Sequence, residues 1–230
     1  MQSETKVIEM MDIEKSYGYG RNKIEVLRGI NLDINRGDVV SITGPSGTGK
    51  STLLNMMGCL DNFDRGRLIL SGKDVSRFTV DELSQFRNIH VGFIFQLHNL
   101  LPEFTALENV MIPLLIRRVS SKNARDMSYE ILKKFNMEDR AGHKPGEMSG
   151  GECQRVAVSR AIVGEPDLIL ADEPTGSLDS KNSMALLEIL LGLCKDKGST
   201  IVIVTHDARI SDMTHRKIQM LDGVIVNELS

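Results

Sequence analysis

An α/β fold with a parallel sheet is predicted by three stretches of this sequence. The apolar run Val39-Val40-Ser41-Ile42 leads into Gly44-Pro45-Ser46-Gly47-Thr48-Gly49-Lys50-Ser51-Thr52 and then into Leu53-Leu54-Asn55-Met56-Met57, a strand–loop–helix succession. Leu168-Ile169-Leu170-Ala171 reads as a second buried strand, ended by the acids Asp172 and Glu173. Beyond it a helical stretch at 181–195 separates this strand from another at Thr200–Thr205. Strands that alternate with helices form parallel sheets, because each parallel connection needs a crossover.

The elements follow in order. Val7 to Glu14 and Ile24 to Ile34 mix apolar and polar residues and are separated by turn residues at Gly18, Gly20 and Asn22, which suggests antiparallel strands. The strand at 38–43 enters the glycine-rich loop. Leu68-Ile69-Leu70 before Ser71-Gly72-Lys73 reads as a strand and a turn. Thr79-Val80-Asp81-Glu82 and Thr105-Ala106-Leu107-Glu108 both fit the capping box that opens a helix. Residues 121–136 and 152–163 have helical periodicity. Residues from about 97 to 160 are therefore expected to form a helical sub-domain inserted in one domain that spans 1–230. At the end, Met220 to Val226 is a strand pair split by Asp222-Gly223.

Composition narrows the function classes. The 230 residues are 41% hydrophobic, enough for a sizeable core. A net charge of −3, with 4% aromatics and no Trp, argues against nucleic acid as a partner, since it offers neither bulk positive charge nor stacking platforms. Cys59, Cys153 and Cys194 form no CxxC or Cys/His metal pattern and read as reduced thiols. No apolar run approaches the ~20 residues that span a bilayer. The start, Met1-Gln2-Ser3-Glu4-Thr5-Lys6, is polar and lacks the apolar core of a signal peptide. A chain soluble by itself is expected, with any membrane role exercised through a partner.

The segment Gly44–Thr52 fits G-x-x-x-x-G-K-[ST], the phosphate-binding loop of nucleoside triphosphatases. Its glycines let backbone N–H groups turn inward on phosphate oxygens, and the helix that follows adds partial positive charge. Lys50 is placed to reach the β- and γ-phosphates, and the Ser51 hydroxyl to ligate Mg2+. In such enzymes an Asp at the end of a buried strand also holds Mg2+, which assigns Asp172. Glu173 follows it as a candidate general base for the attacking water. In Met148-Ser149-Gly150-Gly151-Glu152, Ser149 and Glu152 form a capping box. The paired glycines cost helix stability, and a phosphate at that helix start would explain them.

The order and spacing of these motifs resemble the ATP-binding cassette (ABC) transporter ATPases over essentially the whole chain. Ser149-Gly150-Gly151 resembles the family's signature motif. Gln96, after Val91-Gly92-Phe93-Ile94-Phe95, resembles its Q-loop glutamine. Gly176-Ser177-Leu178-Asp179 resembles the D-loop, and Thr205-His206-Asp207 contains the switch histidine. Tyr17 lies where the family stacks an aromatic on adenine. The resemblance implies a P-loop fold with a RecA-like core, an antiparallel β sub-domain and a helical sub-domain. It also implies a homodimer formed on ATP binding, each ATP held between one phosphate loop and the partner's Ser149, Gly150 and Gly151. His206 would contact the γ-phosphate. Gln96 would sense Mg2+ and the lytic water, and Asp179 would tie the two sites together. The departures are Met148 where Leu is commoner, Glu152 where many relatives have Gln, and Cys153 at a usually polar position.

A stand-alone cassette implies separate integral-membrane permease subunits. The stretch from Phe95 through Pro102 to Val110, together with Ser149-Gly150-Gly151-Glu152 and the Leu221-Asp222-Gly223 turn, is similar to the lipoprotein-releasing ATPases. That similarity implies lipoprotein cargo and a peripheral position on the cytoplasmic face of the bacterial inner membrane. MacB-type drug or peptide exporters and FtsE-type cell-division ATPases share the same motifs and stand as alternatives. His98, His143 and His215 join no constellation.

Overall fold

A computed structural model describes residues 5–175 and 180–229. The first strands are β1 (Lys6–Tyr17) and β2 (Ile24–Asn35), then β3 (Val39–Thr43), helix α1 (Lys50–Met57), β4 (Arg65–Leu70) and β5 (Lys73–Asp74). Next come α2 (Val80–His90), β6 (Val91–Ile94), α3 (Ala106–Ile116), α4 (Ser121–Lys134) and α5 (Gly150–Ile162). The chain continues through β7 (Leu168–Asp172), α6 (Ser180–Lys197), β8 (Thr200–Val204), α7 (Ala208–Ser211), β9 (Arg216–Leu221) and β10 (Val224–Leu229).

Two sheets form. One is antiparallel, in the order β2-β1-β4-β5. The other runs β10-β9-β3-β8-β7-β6, parallel throughout except for the terminal β9–β10 hairpin. The expected antiparallel pair is β1–β2. Both strands run longer than their alternation suggested, and register shifts interrupt the pairing, including one between Met10 and Ile13. Shifts of this kind break the period of two that a sequence reading relies on.

The parallel strands are buried on both faces, and their side chains divide between two cores. Leu168, Leu170, Val202 and Val204 pack with the antiparallel sheet and α1. Ile169, Ala171, Ile201 and Ile203 face the other way, onto α6 and the helices that follow β6. This division follows from side chains that alternate across a strand, and it explains why these strands read as unbroken apolar runs. Leu53, Leu54, Met56 and Met57 of α1 are fully buried, each contributing about 1.5–3 kcal/mol relative to exposure.

Helices α3, α4 and α5 lie between β6 and β7 in sequence and share the second core through Val110, Leu114, Leu132 and Val156. Both expected capping boxes form, at Thr79–Glu82 and Thr105–Glu108. Fully buried Asn109 closes the loop before α3, donating to the carbonyls of Leu101, Phe104 and Thr105. The short α7 had no sequence expectation. It is fastened to β3 by fully buried Ser41, whose hydroxyl meets those of Ser211 and Thr214 at 2.9 Å.

Candidate active site

Four strand ends build the site. Ile42 is paired with Val204, and Val204 with Asp172, so β3, β8 and β7 finish level with one another. Ile94 of β6 is paired with Ala171. Gln96 and Glu173 lie two residues beyond that pair, and both line one cavity. The residues just past these ends surround a cavity of about 500 Å3 lined by Lys50, Ser51, Thr52, Gln96, Asp172, Glu173 and His206, with Gly44, Ser46, Gly47 and Gly49 of the loop. Carboxyl ends of parallel strands are where α/β folds bind ligands, because the loops there are free of the sheet.

The loop conformation requires its glycines. Gly44 has φ +144°, and a Cβ there would lie 2.2 Å from the Met220 carbonyl oxygen. Gly49 has φ +94°, and its Cβ would meet the Val26 carbonyl at 2.8 Å. Thr48 is buried, and its hydroxyl donates to the Pro45 carbonyl at 3.0 Å, so it shapes the loop without lining the cavity. The Lys50 ammonium donates to the carbonyls of Gly44 and Pro45, at 2.9 and 2.7 Å, and so lies along the inside of the loop.

The start of α1 is chemically open. Helices α2, α3, α4 and α5 each carry a side-chain cap on their first turn. Helix α1 has Gly49 at that position and no side-chain cap. Its first N–H groups carry partial positive charge with no side-chain partner, beside Lys50, in a cavity that the loop wraps. Such an arrangement can hold an anion.

Asp172 and Glu173 line the same cavity. Glu173 adopts φ +48°, an unusual conformation for a non-glycine residue, and its N–H donates to the Val204 carbonyl at 3.0 Å. Such a backbone costs on the order of 1–3 kcal/mol and here directs a carboxylate into the cavity. Glu173 Oε1 lies 2.8 Å from His206 Nδ1. That hydrogen bond, together with the carboxylate's charge, raises the pKa of His206 above its ordinary 6.5. Ser51, Asp172 and Gln96 supply oxygen donors to one region, the hard-ligand chemistry that suits Mg2+.

The loop that carries Gln96 is clamped from a distance. Arg160 of α5 donates to the His98 and Asn99 carbonyls at 2.7 and 2.6 Å. Both of those residues have positive φ. The sequence reading assigned nothing to Arg160 or to Val26, which lines the cavity from β2. An apolar strand residue carries no chemical signal, and an arginine's carbonyl partners are invisible before folding.

Other assigned residues lie elsewhere. Ser149, Gly150 and Gly151 start α5 and are not part of this chain's own cavity wall. The capping box there is complete, with Ser149 Oγ accepting from Glu152 N–H at 3.3 Å and Glu152 Oε2 accepting from Ser149 N–H at 2.7 Å. Arg140 pairs with the other Glu152 oxygen at 2.8 Å. The Ser149 backbone bond and then Arg140 hold the Glu152 carboxyl down to about 2. Cys153 is buried, and burial pushes its thiol up, which marks it as unreactive packing. Tyr17 ends β1 outside the cavity lining, and its hydroxyl donates to Asp61 at 2.7 Å. Gly176, Ser177, Leu178 and Asp179 lie outside the described residues.

The family described as ABC transporter matches residues 27–176. The lipoprotein-releasing system ATP-binding protein LolD of Bacteroides thetaiotaomicron is 52% identical over 219 residues, covering 95% of this chain and 99% of that protein. The protein of the same name from Geobacter metallireducens is 47% identical over 222 residues, covering 96% and 99%. Among solved structures, the dimeric ATP-binding cassette MJ0796 bound to ADP and Pi superposes with a TM-score of 0.92 at 40% identity, covering 97% of this chain and 98% of that one.

Proposed function

Since the chain belongs to the ABC transporter family, we propose that it is the ATP-hydrolysing subunit that powers release of lipoproteins from the bacterial inner membrane. The observation that carries the ATPase chemistry is the uncapped start of α1, with Lys50 and Ser51 facing Asp172, Glu173, Gln96 and His206 across one cavity.

The loop N–H groups and Lys50 bind the β- and γ-phosphates of ATP. Mg2+, held by Ser51 and Asp172 with Gln96 alongside, would neutralise phosphate charge. Glu173 takes a proton from water as the water oxygen attacks the γ-phosphorus. The bond to the β–γ bridging oxygen breaks, and ADP and phosphate leave. His206 orients the Glu173 carboxylate through the 2.8 Å contact and reaches the γ-phosphate. Tyr17 stacks on adenine.

Ser149, Gly150 and Gly151 act on the ATP of a second copy. They start a helix exposed at its first turn and stand apart from this chain's own cavity, which fits a head-to-tail homodimer closed by ATP. Asp179 ties the two sites together across that interface. The helical sub-domain, residues 97 to about 160, carries this signature.

A permease pair docks beside Gln96. A groove of about 530 Å3 opens there, between α2, β6 and α3, with Phe95, Pro113 and Ile116 on its walls. Leu97 is 81% exposed and Ile116 64%, an apolar display that suits a protein partner. No helix among the described residues is long and apolar enough to cross a membrane, so attachment to the cytoplasmic face is peripheral and runs through the permease. Identities of 43–52% over nearly the full length to lipoprotein-releasing ATPases support the cargo.

The test is affinity co-purification of this chain from its native membranes, with mass spectrometry of the companions. Recovery of a lipoprotein-releasing permease pair is the expected result. Recovery of a drug- or peptide-export permease, or of a division protein, would leave the ATPase standing and overturn the cargo.

A further inference from the structure

The end of β1 carries an ion cluster that the ATPase chemistry does not use. Asp61 follows α1 and accepts three hydrogen bonds. Its Oδ2 takes the Tyr17 hydroxyl at 2.7 Å. Its Oδ1 takes the Lys15 ammonium at 2.9 Å and the Asn62 N–H at 2.7 Å. Lys15 is only 8% exposed, and its ammonium sits 4.8 Å from the centre of the Tyr17 ring. The neighbouring backbone is stitched as well, since Ser16 N–H donates to Asp64 and Asp64 N–H to the Glu14 carbonyl, both at 2.8 Å.

A buried ammonium is costly unless it is paired. For a strand end in contact with solvent, a simpler sequence would leave both charges out. This arrangement holds one aromatic ring from two sides, through its hydroxyl and through its face. Tyr17 as a whole stays 42% exposed, with surface left for a ligand. Asp61 itself lies four residues after α1, the helix that the phosphate-binding turn opens. One helix, α1, therefore connects the phosphate site at its start to the Asp61 anchor just past its end.

We infer that Asp61 and Lys15 are positioning residues that fix the Tyr17 ring at a set distance from the phosphate loop, so that it forms a rigid platform for the base of a bound nucleoside triphosphate. The inference rests on the adenine-stacking role proposed for Tyr17. A rigid ring loses little side-chain freedom when the base arrives, whereas a free one must be ordered at the moment of binding. The device acts on the base and leaves the phosphate contacts alone.

The test compares binding of MgATP with binding of magnesium tripolyphosphate, which has the phosphates and no base. The variants are Asp61→Ala, Tyr17→Ala and the double substitution. Asp61→Ala is expected to weaken ATP about five- to tenfold while tripolyphosphate binding stays within about twofold. The double variant should bind ATP no more weakly than Tyr17→Ala, because an anchor without a ring has nothing to position. Equal losses for both ligands would show Asp61 acting on the fold and overturn the inference, as would losses that add in the double variant. Unchanged ATP affinity in Tyr17→Ala would instead remove the platform itself and the inference with it. Should Asp61→Ala fail to fold, Tyr17→Phe removes only the anchored hydroxyl and is read in the same way.

Discussion

Glu173 and His206 are coupled before any nucleotide chemistry begins. Their 2.8 Å contact orients the carboxylate and raises the imidazole's pKa. Replacement of Glu173 by Gln keeps the shape and removes the proposed proton acceptor. Steady-state ATP hydrolysis is expected to fall about 10²–10⁴-fold with ATP affinity intact, and turnover equal to the parent's would remove Glu173 as the base. The pair also has a pH signature. A histidine raised in the folded state contributes stability that is full below its ordinary 6.5 and is lost as pH rises through the raised value. An NMR titration of the nucleotide-free chain should therefore place the His206 midpoint above 6.5, and Glu173→Gln should move it down. A midpoint indifferent to that substitution would mean the contact is not made in solution. His206 is 79% exposed at its side chain, so screening keeps its stability effect small.

At the scale of the element, helix starts divide the labour. Helix α1 leaves its first turn open for phosphate, whereas α5 closes its own with Ser149 and Glu152. The Ser149–Gly151 segment is therefore already ordered for the proposed contact with a second copy's ATP, and the missing Cβ atoms of the two glycines allow close backbone approach. Ser149→Arg adds bulk and charge at that face without touching this chain's own cavity. Monomer affinity for ATP should stay within about twofold of the parent, and the ATP-dependent dimer should be absent by light scattering in a hydrolysis-blocked Glu173→Gln background. Dimerisation of that double variant would show that α5 acts elsewhere. Removal of the Ser149 hydroxyl as Ala would cost about 1 kcal/mol of helix capping alone, which makes the Arg substitution the cleaner probe of assembly.

At the scale of the molecule, the question is how ATP at one end of the sheet reaches a partner. Gln96 stands in the cavity, and the loop just after it is held by Arg160 of α5. Arg117 joins the same elements from the other side, donating to the Asn88 carbonyl at the end of α2 and to the Gly164 carbonyl after α5. The groove with Phe95 and Ile116 lies between these two clamps. Ile116→Asp places a charge on its wall, outside the nucleotide cavity. ATPase activity of the isolated chain should persist, and co-purification of the permease should be lost. Retention of the permease would move the docking surface off this groove.

A candidate chemistry was legible because phosphate binding, metal ligation and proton transfer each demand particular residue types at fixed spacing. Lys50, Ser51, Asp172 and Glu173 could be assigned from the chain alone for that reason, as could the apolar strands that precede them. Gln96, His206 and Ser149 were assigned through family resemblance, since a lone Gln, His or Ser has no local signal. Only the tertiary structure decided what those residues face. Pairing of Ile42, Val204 and Asp172 brings the strand ends level, and no local pattern encodes such long-range register. Folding also leaves Ser149 apart from its own phosphate loop, and it holds Tyr17 against Asp61, 44 positions away in sequence. A short motif specifies a local conformation and a reactivity, but which surfaces meet is set by the packing of the whole chain.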